Sequence, residues 1–284
     1  MAHEQELTIL LGKHTDLRMQ RYAHRVADVY SGKIIENDDE IKAGGPLLSF
    51  GGDHTAQRAV RAIIKGGINR PIGVIEAGTN NVLHRSWNDE KGGMELADFI
   101  TRAREGDDFF RFQFSPGLIG RRLFNVDAGV GGFEIKAGHV SKMFRDLPRS
   151  IRPKLSSFVA AVATVLDLKV RHPLEIFSNA PFIGKRRVFP EQKLGSSTIT
   201  HAFIDDDDPF RSKVKLAATL YCWQREIQPP PGVLTTRQIA QHELKGPFTH
   251  VWTDGDTHIN SIEGSILVKR ADEQVTVVPI LNHQ

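Results

Sequence analysis

Two stretches of this chain share one local design. In PLLSFGGDHT (46–55) a continuous apolar run ends in two glycines, and a helical pattern starts at once. In IGVIEAGTNN (72–81) a second apolar run ends in Ala-Gly-Thr, and another helix follows. Apolar runs without alternation read as strands buried on both faces, which places them in a parallel sheet covered by helices. Both turns then lie at the carboxyl edge of that sheet, where open α/β sheets bind ligands. Glycine lets the backbone come close to a phosphate, and a helix N-terminus adds unbonded N–H groups and partial positive charge. Gly51, Gly52, Asp53, His54 and Thr55 form the first candidate binding turn, and Gly78, Thr79 and Asn81 the second. Thr55 and Thr79 offer hydroxyl donors, while Asp53 could hold a metal-bound phosphate or accept a proton. Either turn alone is also ordinary cap chemistry. Two of them, each behind a buried strand, are more specific. No GxGxxG follows the first strand and no Walker lysine motif is present, so those two phosphate signatures are absent.

Strand and helix alternate through the first 110 or so residues. The patterns predict strands over 7–11, 33–35, 46–50 and 72–75. They predict helices over 18–30, after Gly52 and over 94–104, the last with Leu96, Phe99, Ile100 and Ala103 inward. Beyond that point strands dominate. A hairpin of 110–114 and 122–126 about Pro116-Gly117 is followed by runs at 174–177, 198–204, 237–243, 248–253, 265–268 and 274–278. Only 157–168 and 213–223 read as helices there. The expected fold class is α/β plus β: an α/β nucleotide-binding domain with a parallel sheet over 1–115, then a mostly antiparallel β-rich substrate domain over 116–284, from which a later segment could return to the first domain.

Among 284 residues, 40% are hydrophobic and 25% charged, which is the composition of a folded soluble protein. No stretch approaches the roughly 20 apolar residues of a membrane span, and the N-terminus does not read as a signal peptide. The single cysteine, Cys222, excludes an internal disulfide and a cysteine zinc cluster, and a cytoplasmic location is expected. A net charge of +3 is mild and gives no reason to expect nucleic acid as a partner. Its basic clusters, such as Arg121-Arg122 and Lys185–Arg187, read as solvated surface or as docking points for an anionic membrane. The acidic run Asp205–Asp208 reads as a solvated turn rather than a metal site, and His242, His250 and His258 as surface or packing residues.

The pairing of GGDHT with AGTNN resembles the diacylglycerol kinase catalytic family, which includes bacterial lipid kinases and sphingosine kinases and is related to NAD kinases. The family motifs read GGDGT and GTxND. Gly51, Gly52, Asp53 and Thr55 match the first, Gly78, Thr79 and Asn81 the second, and Arg85 fits an arginine that often follows. FNVDAGVGGFE (124–134), FPEQKLGSST (189–198) and FTHVWTDGDTH (248–258) then look like later family segments, in the family's order. The resemblance implies ATP, with Mg2+, between the two glycine turns. It implies a β-sandwich second domain that presents the hydroxyl of a diacylglycerol-like lipid, as in phospholipid biosynthesis at a membrane surface. It implies a general base at Asp256, in the family's DGE position, with Asp53 the other candidate catalytic acid. Read by itself, Asp254-Gly255-Asp256 is a tight β-turn. An oligomer is compatible with all of this.

Several positions depart from the family pattern. His54 replaces the third glycine, and a histidine disfavours the positive φ a glycine tolerates. Gln57-Arg58 stands for Asn-Glu, and Val82 for the Asp of GTxND. Gly195-Ser196-Ser197 replaces Asp-Asp-Gly and removes an acid the family uses for a structural magnesium. Two alternatives follow: a catalytically impaired relative that binds nucleotide or lipid as a regulator, and a kinase of a soluble substrate such as NAD.

Overall fold

The structure, a computed structural model, describes residues 6–13, 15–77, 81–130, 143, 159, 162–163, 174–183, 186–225, 227–246, 248–254, 256–262 and 264–281. At 224, 248–250 and 256–262 it describes the backbone alone. The chain divides into two compact units. The first gathers 1–116, 193–196 and 271–284, and the second 117–192 and 197–270.

The first unit is built on one sheet. Its strands are β1 (Leu7–Leu11), β2 (Gly32–Ile35), β3 (Leu47–Gly51), β4 (Ile72–Glu76), β5 (Gln113–Phe114) and the last strand of the chain, β18 (Val275–Pro279). Their order is β2-β1-β3-β4-β18-β5. All neighbours are parallel except β18 and β5. Leu7, Ile9 and Leu11 join a core cluster on one face, while Leu10 between them is equally buried, so the strand is covered on both sides. That cluster is completed by Ala23, Val26 and Ala27 of α1 (Leu17–Tyr30) and by Phe99, Ile100 and Ala103 of α4 (Leu96–Glu105). α2 (Asp53–Gly66) buries Ala56, Ala59, Val60 and Ile63, and α3 (Val82–Lys91) buries Leu83 and Trp87. The parallel α/β reading of the sequence thus stands.

One difference concerns the end of the chain. The sequence reading assigns 116–284 to the second domain but allows a later segment to return to the first, and β18 is that segment, lying between β4 and β5. Its run VTVVP carries no local mark of which sheet it joins, because an apolar strand satisfies either.

Arg58 of α2 fastens the segment after β2. It donates to Asp38 Oδ1 from Nε (3.2 Å) and Nη2 (2.8 Å), and to the Glu36 carbonyl (2.6 Å). Partial burial works against the Asp38 charge, but the Arg58 hydrogen bond and charge outweigh it and lower the pKa below the usual 3.8. A lowered carboxylate contributes stability that is complete above 3.8 and lost as pH falls through the folded value. Asp38→Asn is therefore expected to cost about 0.5–1 kcal/mol near neutrality, since Asp38 is well exposed, and almost nothing at the acid end. Urea melts across that range check the convergence.

The second unit is antiparallel throughout. One sheet holds β8 (Asp127–Val130), β9 (Glu175–Ser178), β12 (Ile199–Phe203), β13 (Thr235–Ile239), β15 (Phe248–Thr253) and β16 (Asp256–Ile262), in the order β13-β12-β9-β8-β15-β16. The other holds β6 (Gly117–Ile119), β7 (Arg122–Phe124), β14 (Gln241–Lys245) and β17 (Ser265–Arg270), in the order β14-β17-β6-β7. β10 (Phe182–Ile183) and β11 (Arg186–Arg187) form a small separate ribbon. Inward residues of both sheets, among them Phe124, Ala128, Phe177, Ile199, Leu244, Val251 and Val268, make one core. α5 (Pro209–Gln224) covers the larger sheet through Leu216 and Trp223, which pack with Ile176, Ala202 and Trp252.

Three sequence expectations are corrected here. The hairpin before residue 130 turns at Gly120-Arg121, where Gly120 has φ +61°, not at Pro116-Gly117. Residues 110–112 form a 3-10 turn, and β5 pairs with β18 instead. The run 237–243 is two strands that break at Ala240 and enter different sheets. The acidic run starts α5: Asp208 accepts from the Phe210 and Arg211 amides and Pro209 takes the first helical position, while Asp206 pairs with Lys215 at 2.9 Å. The expected helix over 157–168 lies almost wholly outside the described residues.

Candidate functional site

β1 and β3 are neighbours, yet the chain leaves them in opposite directions: α1 leads back to β2, and α2 onward to β4. Such a reversal opens a crevice at the carboxyl ends of the two strands. Gly12 and Gly51 sit there. The Gly12 amide donates to the Phe50 carbonyl at 2.9 Å, and the Thr15 hydroxyl donates to the same oxygen at 3.2 Å. The second turn is one strand further along, since Gly51 pairs with Glu76 and its carbonyl accepts from the Ala77 amide at 3.2 Å.

Gly52 is the N-cap residue of α2, and as a glycine it brings no side chain to cap the first turn of that helix. His54 is exposed on this turn and helical, with no positive φ, so the histidine fits the backbone that replaces the family's glycine. Thr55 is placed otherwise than its expected binding role suggests. It is buried, and a Cβ added at Gly51 or at Gly12 would meet its hydroxyl. These glycines make room for the Thr55 hydroxyl, which lies against both. Gly51→Ala is accordingly expected to lose about 1–2 kcal/mol by overpacking, and an added Thr55→Ala to relieve only part of it, because the Cβ of residue 55 would itself lie 2.6 Å from the new one. Denaturant melts of both variants would test this; no loss in Gly51→Ala would rule the clash out.

Asp53 reaches across to the second helix. Its Oδ2 accepts from the Val82 amide at 3.0 Å and its Oδ1 from the Leu83 amide at 2.9 Å. Burial raises its pKa above the ordinary value, while the two amides and the Arg85 charge pull against it. The carboxylate thus caps α3, a different employment from the metal or proton role expected of it. The two helices thus start differently: the N-cap of α2 is a glycine, and the first turn of α3 is capped by a carboxylate from α2. Asn81 takes the left-handed conformation (φ +50°) at the start of α3, is buried, and donates from Nδ2 to Glu76 Oε1 at 3.0 Å. Gly78 and Thr79 lie outside the described residues.

In the second unit Asp256 opens β16 opposite Thr253, the last residue of β15. The Asp256 side chain lies outside the described set. The residue that sequence reasoning missed is its neighbour. Asp254 has φ +48° and accepts from the amides of Asn125 and Val126 at 2.8 Å each and of Asp127 at 3.1 Å. Its own amide donates to the Asp127 carbonyl at 2.8 Å. Two family-like segments, FNVD and TDGD, are therefore clamped to each other by one carboxylate.

No protein-family model and no curated protein matches the chain. Solved structures do. A protein of Bacillus anthracis str. Sterne assigned as a diacylglycerol kinase superposes with a TM-score of 0.58 at 13% identity, covering 98% of this chain and 96% of that one. A second structure so assigned, from the same organism, gives 0.58 at 11% identity over 96% and 97%. A third gives 0.53 at 10% identity over 96% of each chain. At these identities the likeness is one of architecture, and the chain has the fold of the diacylglycerol kinases.

Proposed function

We propose that the protein is a lipid kinase that transfers the γ-phosphoryl group of ATP to the hydroxyl of a diacylglycerol-like lipid. The observation that carries the reading is the start of α2 directly behind Gly51-Gly52, at the crevice where the strand order reverses. Gly51, Gly52 and the first-turn amides of α2 cradle the triphosphate, and exposed His54 adds a positive charge there when protonated. By the family resemblance, Gly78, Thr79 and Asn81 supply the second phosphate-binding turn. Bound Mg2+ would neutralise charge on the transferred group. Because both oxygens of Asp53 already accept from amides, the ion is expected to enter on the nucleotide rather than on a protein carboxylate. Asp256 takes the proton from the attacking lipid hydroxyl.

The test is direct. Purified protein, labelled ATP and Mg2+ are incubated with mixed micelles of diacylglycerol, monoacylglycerol or sphingosine, and with NAD. Label is expected in diacylglycerol, and Asp256→Asn should slow transfer by about 100-fold or more. No transfer to any lipid beside an active control kinase would overturn the reading, and label in NAD alone would point to the soluble-substrate alternative.

A second reading, a nucleotide-binding regulator without turnover, draws support from the engaged state of Asp53 and from the serine at 196. Under it the natural protein binds ATP without transfer, and His54→Gly with Val82→Asp and Ser196→Asp creates activity. Turnover by the natural protein removes it.

A further inference from the structure

Away from the glycine turns, four strands of the second unit bring four polar side chains together: Glu175 on β9, His201 on β12, Arg237 on β13 and His242 on β14. The first three strands are neighbours in the six-stranded sheet, and β14 belongs to the four-stranded one. His201 is 1% exposed and stacks between Phe177 and Phe203, with ring centroids 4.4 and 4.6 Å away. Its Nε2 lies 2.9 Å from Glu175 Oε1, and its ring centroid 4.6 Å from that of His242. Arg237 donates from Nε to His201 Nδ1 at 3.2 Å, and its Nη2 lies 3.4 Å from His242 Nδ1. One ligand atom each from Glu175, His201 and His242 lies within 4.8 Å of the other two.

We propose that Glu175, His201 and His242 form a site for a divalent transition metal of the Zn2+ type, which ties the two sheets of the second unit together, and that Arg237 is the cation the metal displaces. Two imidazoles and a carboxylate are a donor set that suits Zn2+, with the fourth position left to water. The two phenyl rings fix the plane of His201, as a metal ligand requires. His242 keeps its lone pair near neutrality, because burial and then the neighbouring His201 and Arg237 lower its pKa. Around a tetrahedral ion with bonds of about 2.0–2.1 Å, ligand atoms stand about 3.4 Å apart. The Glu175–His201 pair, at 2.9 Å, thus opens by about half an ångström, and His242 closes in by little more than about an ångström.

The exchange conserves protons. With Arg237 donating to Nδ1, the His201 proton sits on Nε2 and faces Glu175. On metal binding that proton moves to Nδ1, the Nε2 lone pair becomes the ligand, and Arg237 loses its acceptor. Arg237 is exposed, so its guanidinium can turn to water. The inference does not depend on kinase activity.

The probe is Co2+, titrated into the full chain after chelator treatment. One equivalent is expected to bind with the visible absorption of a four-coordinate ion and to be displaced by Zn2+. Zn2+ in excess should raise the melting temperature by about 3 °C or more. His242→Ala, at a half-buried position, should weaken Co2+ binding about 10-fold or more, and Arg237→Ala should tighten it by a similar factor. Glu175→Gln, which keeps an acceptor for His201, is the second variant should His242→Ala fold poorly, and it too should weaken uptake. Failure of the natural protein to take up one equivalent, or uptake unchanged by His242→Ala and Glu175→Gln, would overturn the site. Unchanged or weaker binding by Arg237→Ala would overturn the exchange.

Discussion

Asp254→Ala is expected to lower the stability of the second unit by about 3–5 kcal/mol. Three backbone amides lose a charged acceptor at once, and they have nowhere else to go. Asn125 and Val126 are 0% and 2% exposed, so water cannot take the place of the carboxylate without opening the strand. Asn at 254 keeps an acceptor and tolerates the left-handed backbone, and should recover about half of the loss. Gly relieves the backbone cost of about 1 kcal/mol but restores no acceptor, so it should stay close to Ala. That order, Asp above Asn above Gly and Ala, separates the clamp from the turn. Trp223 and Trp252 lie in this unit and Trp87 in the other, so urea melts followed by tryptophan emission report mostly on it. A loss under about 1 kcal/mol in Asp254→Ala would show that the amides find other partners.

Asp53→Ala should cost about 2–4 kcal/mol in the first unit, by uncapping α3. The first two amides of that helix are held by the Asp53 oxygens alone among the hydrogen bonds described for them. Asn can supply one acceptor where Asp supplies two, so Asp53→Asn is expected between the natural protein and Ala. Hydrogen exchange gives the sharper readout. The protection lost should be concentrated at Val82 and Leu83, with α2 little changed. Equal loss along α2 would mean that the carboxylate matters to its own helix instead. Under the proposed function the same variant uncaps the N-terminus of α3, so a change in nucleotide affinity larger than the stability change would be informative about the phosphate position.

Much of the architecture was legible because periodicity reports burial. Leu47–Gly51 and Ile72–Glu76 are apolar almost throughout, and both prove to be interior parallel strands behind the two glycine turns. What periodicity cannot report is the partner of a strand. Val275–Pro279 looks like any buried strand, and only the completed sheet assigns it to the first unit. The site was legible in its backbone and less so in its side chains. Gly51 and Gly52 announce a turn, but whether Asp53 faces solvent or a neighbouring helix depends on where α3 starts, 29 residues later. Asp254 was overshadowed by Asp256, because a turn residue seldom advertises that its carboxylate holds a segment 127 to 129 residues away. His201 and His242 share no local pattern, since they come from different sheets.

The position of β18 also sets an order of events. The second unit lies in sequence between parts of the first, and the strand that fills the gap between β4 and β5 is made after every other strand described. During synthesis the second unit can close while the first still has two unpaired strand edges exposed in the middle of its sheet. The turns after β1 and β3 thus stand on a sheet that becomes continuous only when β18 arrives, about 200 residues after β4. A ribosome-stalled chain that ends before β18 should therefore hold a folded second unit beside a first unit that chaperones still recognise.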